Sequence, residues 1–284
     1  MILPALRYER PASLGHALEL LAGSGARPLA GGQSLINVLK LRAAAVDALV
    51  DISGLEELRF IDLRSDGALE IGACVTYDEL EHSEEVRQAA PVLAEVAAHT
   101  VDQQVRNRGT LGGNCCYADP ASNYPPLMTA LGATMRVATP AGDREVAAEE
   151  FVLGFSRTAV GPGELLRSVV VPPLDGSGVG YQSLLIGRDS WALARAVAVL
   201  GAERTIVDAR VVLGCVADAP LRQPAVEERL RGREPSPETL AEASRASCEG
   251  IEPISDVHAS GGYRRRMSRV MVRRALEQAI GEAE

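Results

Sequence analysis

The chain has 284 residues, of which 46% are hydrophobic and 24% charged, an ordinary balance for a folded protein with room for one large domain or two to three small ones. Its 29 basic and 38 acidic residues leave a net charge of −9, which argues against nonspecific binding to DNA or an anionic membrane. No apolar run approaches the roughly 18 residues of a membrane span, and the opening MILPALRYERPASL lacks a signal peptide's apolar core, so a cytoplasmic location is expected.

Five cysteines, at 74, 115, 116, 215 and 248, form no CxxC pair. They make neither a disulfide framework nor a zinc or iron–sulfur ligand set, and buried reduced thiols are expected. The four histidines (16, 82, 99 and 258) fall outside metal-ligand spacings, so no metal site is predicted. Of these, His99 enters the polar stretch described below. The chain has no GxSxG, Walker A or GxGxxG pattern, which removes support for hydrolase, P-loop and Rossmann dehydrogenase readings.

In chain order, Pro28 to Ala30 reads as a short strand ending in Gly31-Gly32. Apolar spacing from Leu35 to Leu41 suits a helix, and Ala48 to Ile52 a second strand. Residues 60–63 and 69–72 flank Ser65-Asp66-Gly67 as a hairpin. Thr76 is placed to cap a short helix, and 89–98 offers another. From Thr100 to Tyr124 periodicity disappears, and so long an irregular segment in a compact domain is usually functional. A helix at 125–131, a strand at 133–138, a turn at 140–143 and a strand at 165–171 follow. Asp175 to Gly178 is the best linker. Beyond it come strands at 193–201 and 206–216, then helices near 224–231, 237–248 and 262–280.

Two glycine-rich segments carry most of the chemistry. In Ala30-Gly31-Gly32-Gln33-Ser34-Leu35, paired glycines permit positive φ and close approach of a ligand, and Ser34 is placed to cap the helix beside free N–H groups. A phosphate could lie there without any basic side chain; a plain tight turn with a serine cap is the other reading. Gly109-Thr110-Leu111-Gly112-Gly113-Asn114 has the composition of a second backbone-donor cradle, with Gly113 expected to use positive φ. Asp119, Ser122 and Asn123 follow as candidate ribose or flavin partners. Two such loops in one chain suggest a ligand with several phosphates or a dinucleotide.

AGGQSLINVLKLR and QVRNRGTLGGNCCYADPASNYPPLMTALGA resemble the two flavin motifs of the FAD-binding medium subunit of molybdenum hydroxylases, of the carbon monoxide dehydrogenase and xanthine dehydrogenase types. The resemblance runs along nearly the whole chain, including ELLRSVVVP at 164–172 and GGYRRRMSRVMVRRAL at 261–276. It implies an α+β fold: a two-lobed FAD-binding domain of the vanillyl-alcohol-oxidase type over 1–174, with lobes of about 1–54 and 55–174. A smaller α+β C-terminal domain would occupy 175–284.

The resemblance implies noncovalent FAD, with its pyrophosphate between Ala30 to Ser34 on one side and Thr110, Gly112, Gly113 and Asn114 on the other. Ser122 and Asn123 would meet the adenosine or ribitol part, and Leu166 would pack on the flavin or adenine. Trp191 resembles an aromatic position near the isoalloxazine, or else packs in the core. Two positions depart from the family pattern. Asn123 stands where an acidic residue is usual, and residues 182–188 hold a single basic residue, Arg188, where several are common. Thr100 to Gln103 also replaces the usual entry to the second motif.

By the same resemblance, the chain is an oxidoreductase subunit that accepts electrons from an iron–sulfur small subunit, while a molybdenum-cofactor large subunit oxidises the organic substrate. The alternatives are a stand-alone FAD-dependent oxidoreductase on the same fold, or a derivative that binds another ligand without redox chemistry. The arginines at 264, 265, 266, 269, 273 and 274, with Val270, Met271, Ala275 and Ile280, form either a docking face or a helix packed on its own sheet.

Overall fold

The computed structural model describes residues 3–23, 25–100, 102–187 and 191–283. It is built on three sheets and a small hairpin. The first sheet comprises β1 (Arg7–Glu9), β2 (Ala26–Leu29) and β3 (Ala48–Asp51), paired in parallel in the order β1-β3-β2. Parallel neighbours require crossovers, supplied by α1 (Leu14–Leu21) and α2 (Leu35–Lys40). The Ser13 hydroxyl caps α1 by accepting from the His16 N–H, and Ala17, Leu18 and Leu21 pack with Val50 and Ile52.

The second lobe opens with the hairpin β4 (Ile61–Leu63) and β5 (Leu69–Gly72). Six helices follow: α3 (Tyr77–His82), α4 (Glu84–Ala89), α5 (Pro91–Ala98), α6 (Gln103–Arg106), α7 (Leu111–Tyr117) and α8 (Tyr124–Leu131). The expected cap at Thr76 is a full capping box with Glu79. The helix expected over 89–98 is divided, because Pro91 lacks an N–H and starts α5 as its first residue.

The stretch read as irregular from Thr100 to Tyr124 holds α6 and α7. Asp102 caps the first by accepting from Val105 N–H at 2.8 Å, and Thr110 caps the second by accepting from Gly113 N–H at 3.0 Å. Both helices are too short for a 3.6-residue period to show. Val101 of that stretch lies outside the described residues.

Strands β6 (Thr134–Thr139) and β7 (Gly142–Ala147) lead through α9 (Ala148–Phe151) to the hairpin β8 (Val152–Gly154) and β9 (Arg157–Thr158), then β10 (Leu165–Val171). The sheet order is β4-β5-β10-β6-β7, all antiparallel. Strand β7 begins inside the turn expected at 140–143; its solvent-facing GDREVA carries too few apolar residues to register as a strand.

The third sheet holds β11 (Gly178–Leu185), β12 (Ala192–Ala202), β13 (Ile206–Gly214) and β14 (Leu221–Arg222), antiparallel in that order. Helices α10 (Pro224–Leu230), α11 (Pro237–Ser244) and α12 (Gly261–Ala283) complete the chain. This sheet is covered on both faces. Ala194, Ala196, Ala198 and Leu200 share a core with Val272, Ala275 and Leu276 of α12, while Val179, Val197 and Val212 join the core of the second lobe. Hence β12 reads as a nearly unbroken apolar run.

The apolar stripe of α12 therefore packs on its own sheet: Met271 and Ala275 are buried, and only Val270 is exposed. Among the arginines, Arg264 is buried and donates to the carbonyls of Leu193 and Cys215 and to Asp256. Arg265 donates to the carbonyls of Cys248 and Ile251. Arg266, Arg269, Arg273 and Arg274 remain exposed.

Candidate functional site

A continuous cavity of about 1540 Å³ lies where the three sheets meet. Its walls come from the loop after β2, the α5–α8 region, the segment 156–166, and the cavity-side ends of β11, β12 and α12. Ordinary small-molecule sites span about 300–1,000 Å³, so this one suits a larger, elongated ligand.

The first glycine loop leaves β2 and turns into α2. Gly32 adopts φ +74°, a conformation that favours glycine. Gly31 does not use positive φ; its bareness serves packing. A Cβ there would lie 1.9 Å from the carbonyl oxygen of Arg108, so the two glycine loops touch backbone to backbone. Ser34 makes no capping hydrogen bond, contrary to expectation, because its own backbone is already helical (φ −99°, ψ −55°). Instead, the Gln33 side chain donates to the Gly31 carbonyl at 3.0 Å and Asn37 donates to the Gln33 carbonyl at 2.8 Å.

Among the described residues, nothing accepts from the backbone N–H groups of Gly31, Gly32, Gln33, Ser34 or Leu35. Successive free amides around a positive-φ residue form a concave anion site. The first loop is the donor cradle.

The second loop differs from what its composition suggests. Leu111 N–H donates to the Val75 carbonyl at 3.0 Å, Gly112 N–H to the Ala73 carbonyl at 2.9 Å, and Gly113 N–H to the Thr110 hydroxyl oxygen. These amides are satisfied within the chain. Gly112 is glycine because a Cβ would meet the Ala73 Cβ at 2.5 Å, and Gly113 lies outside the positive-φ region. What this loop offers the cavity is side chains. Thr110 still has its O–H to donate, since accepting from Gly113 uses only a lone pair, and Asn114, whose Oδ1 accepts from Tyr124 N–H at 3.1 Å and whose side chain also bonds Tyr77, keeps one amide N–H.

Helix α7 ends at Ala118 in the left-handed region (φ 48°). Asp119 then closes a turn, its carboxylate accepting from Ala121 N–H at 2.8 Å and its carbonyl from Ser122 N–H at 2.8 Å. Asp119 is the one expected residue that does not line the cavity; its acceptor is turned to the backbone, as an Asx turn requires. The other fifteen do line it: Ala30, Gly31, Gly32, Gln33, Ser34, Leu35, Gly109, Thr110, Gly112, Gly113, Asn114, Ser122, Asn123, Leu166 and Trp191. Leu166 is buried, whereas Trp191 is 56% exposed at the rim, which rules out core packing for it.

The sequence reading missed Tyr181, Gln182, Arg195 and Gln278, all of which line the cavity. Arg195 lies in the interior of β12 and is 2% exposed. A lone arginine inside the apolar run ALARAVAVLGA was the available signal, since arginine is almost never fully buried unless paired. It places positive charge on the cavity wall from outside the stretch 182–188; Arg188 of that stretch lies outside the described residues. His99 also lines the wall, its Nδ1 2.8 Å from the Glu95 carbonyl oxygen.

Burial dominates the titration of the groups here. It pushes the Cys74 thiol up to about 12 and the Cys116 thiol up to about 12, and holds Cys115 well above its ordinary value. The carboxyl of Glu95 is raised by burial and by the neighbouring charge of Glu282. These thiols are neutral at physiological pH and therefore poor nucleophiles.

The model of the FAD binding domain in molybdopterin dehydrogenase matches residues 4–174, and that of the CO dehydrogenase flavoprotein C-terminal domain matches residues 187–279. The glyceraldehyde dehydrogenase medium chain of Sulfolobus acidocaldarius is 35% identical over 97% of this chain and 98% of its own length. The carbon monoxide dehydrogenase medium chain of Hydrogenophaga pseudoflava is 36% identical over 98% of each. Among solved structures, quinoline 2-oxidoreductase from Pseudomonas putida 86 superposes with a TM-score of 0.95, 35% identity and full coverage of both chains.

Proposed function

The chain belongs to the FAD-binding domain family of molybdopterin dehydrogenases, and from that premise we propose that it is the flavin-carrying electron-transfer subunit of a molybdenum hydroxylase. It accepts electrons from iron–sulfur clusters of a small partner subunit and passes them to an external acceptor. A molybdenum-cofactor subunit oxidises the organic substrate, and the complex works in the cytoplasm. Among the described residues no helix is long and apolar enough to cross a membrane. We divide the chain into an FAD-binding domain of residues 1–174, with lobes at about 1–54 and 55–174, and a C-terminal domain of 175–284.

The observation that carries this reading is the row of five unused amides from Gly31 to Leu35 on the wall of a cavity shared by all three sheets. Amides in this number can hold a pyrophosphate without lysine or arginine, which suits an acidic chain. The Thr110 hydroxyl and the Asn114 amide donate from the facing loop. Ser122 and Asn123 meet the ribitol or adenosine part, while Leu166 and Trp191 supply apolar contact to a ring. Asp119 acts indirectly, by fixing the turn that presents Ser122. FAD, when bound, supplies a two-electron store that exchanges electrons singly with iron–sulfur clusters. The chain's own residues bind and orient it and exclude water from its buried parts.

The test is to purify the protein and measure flavin, expecting about one noncovalent FAD per chain. Well-folded protein that neither carries FAD nor takes it up would overturn the reading.

A further inference from the structure

A buried guanidinium is normally stabilised by a carboxylate, because moving an unpaired charge out of water costs several kcal/mol. Arg195 has none: among the described residues no carboxylate oxygen comes within 4.0 Å of its nitrogens. Its partners are neutral. Nε donates to the Ser183 hydroxyl at 2.9 Å, Nη1 to the carbonyls of Ala121 at 2.8 Å and Ser122 at 2.6 Å, and Nη2 to Asn123 Oδ1 at 2.5 Å. Its Cζ also lies 5.7 Å from the centroid of the Tyr181 ring. The side chain is held at each of its three nitrogens and still lines the cavity.

Asn123 decides the charge of this arrangement. Its Oδ1 accepts from Arg195 and from the Tyr181 hydroxyl at 3.3 Å, and its Nδ2 donates to the Thr100 hydroxyl oxygen at 3.0 Å. An aspartate here would occupy the same space and neutralise Arg195. With asparagine, a full positive charge stays in a low-dielectric wall, where it reaches farther than in water.

We propose that Arg195, left uncompensated by Asn123, is a positioning residue whose fixed charge favours the reduced form of the bound flavin and so raises its midpoint potential. This rests on the functional reading above. Reduction by two electrons, supplied by an iron–sulfur partner or a chemical reductant, with uptake of one proton converts the neutral ring to a monoanion. A cation in the wall stabilises that product over the reactant. The pyrophosphate keeps its charge in both states, so an interaction with it cancels from the potential. Trp191, Leu185 and Tyr181, on the same two strands as Arg195 or at their ends, line the cavity beside it and would give a flavin ring its apolar and aromatic contact.

The experiment is a mediated dithionite titration of the FAD-loaded protein, with any subunits that copurify, for the parent, Asn123→Asp and Arg195→Lys. N123D is expected to weaken binding of reduced relative to oxidised FAD about tenfold, a fall of about 30 mV for a two-electron couple. R195K keeps the charge but not the fork of hydrogen bonds; it is expected to loosen FAD while leaving the potential near the parent's. N123D with an unchanged potential, whether or not FAD binding weakens, overturns this inference alone. A parent that takes up no FAD overturns the functional reading as well.

Discussion

Gly31 and Arg108 meet with no room for a side chain between them: a Cβ on the glycine would sit 1.9 Å from the arginine's carbonyl oxygen. The neighbour is backbone and cannot swing aside, so the donor cradle of the first lobe is set by the second. Gly31→Ala is expected to push the loops apart, lowering stability by about 1–3 kcal/mol, the usual cost of overpacking. FAD affinity should fall further than that, because the five amides lose their alignment. Urea unfolding with a parallel flavin titration checks it; a variant with normal FAD content would show that the two loops move independently.

Gly113→Val tests the facing loop by another route. The new Cβ would stand 2.7 Å from the Thr110 hydroxyl oxygen, displacing the group that caps α7. Loss of such a cap costs about 1 kcal/mol, so the chain should remain folded while FAD retention collapses. Thr110→Ser, which preserves the hydroxyl, should retain FAD. If Thr110→Val also retained it, the hydroxyl would have no part in binding.

Much of this was legible in the sequence, for identifiable reasons. The two glycine loops stand out because glycine and small polar residues displace the apolar rhythm at Ala30 to Ser34 and Gly109 to Asn114. The strands β3, β10, β12 and β13 announce themselves by β-branched and apolar runs. What stayed hidden depends on tertiary partners. Nothing local shows that Ala73 and Val75 consume the amides of Gly112 and Leu111, or that Asp119 turns to its own backbone. Arg195 reaches Ala121 and Ser122 across more than seventy residues, a pairing no spacing rule reveals.

The cysteines should be chemically quiet. Cys74 and Cys115 are buried and Cys116 stands in the cavity wall. Alkylation at neutral pH is expected to spare Cys74 and Cys115 and to reach Cys116 slowly in FAD-free protein, with FAD protecting it; peptide mass mapping checks this. Burial raises the Cys74 thiol from 9.0 to about 12, so its contribution to stability is complete below about pH 9, its unfolded value. Between about pH 9 and 12 the unfolded chain gives up a proton that the fold retains, and stability should fall. Cys74→Ala should flatten that part of the profile. Replacing both Cys115 and Cys116 by serine should leave electron transfer intact wherever FAD binding survives.

Arg264 and Asp256 should govern the acid side. The carboxyl of Asp256 is lowered from 3.8 to about 2, by hydrogen bonds from the Ala259 and His258 amides and the Arg264 guanidinium that outweigh an opposing cost of burial. Its stabilising effect is complete above about pH 4 and is lost as pH falls through the folded value. Arg264→Ala would strand the Leu193 and Cys215 carbonyls and cost about 2–3 kcal/mol, in the range for buried charge-assisted hydrogen bonds. Denaturation profiles between pH 2 and 5 should show the Asp256→Asn variant losing less stability than the parent. An identical slope would mean the ion pair does not survive in solution.

The outward arginines of α12 then remain in solvent. With Arg264 and Arg265 engaged internally, Arg266, Arg269, Arg273 and Arg274 place positive charge on the outward side of α12 in a chain whose net charge is −9. Arg273 is shared with Glu277 at 2.8 Å and Arg266 lies over the Tyr263 ring, so Arg269 and Arg274 are the better probes. Charge of this kind acts on encounter and orientation more than on final affinity, and weakens with salt. Co-expression with iron–sulfur and molybdenum subunits should give a stable complex. Reversing both residues to glutamate should slow association about tenfold at low ionic strength, converge with the parent at high salt, and leave unfolding unchanged. Stopped-flow mixing of the separated subunits measures it. A reversal without kinetic effect would make the face a solvated one. A chain that ignores those subunits and turns over a small molecule with its own FAD would instead be a stand-alone flavoprotein.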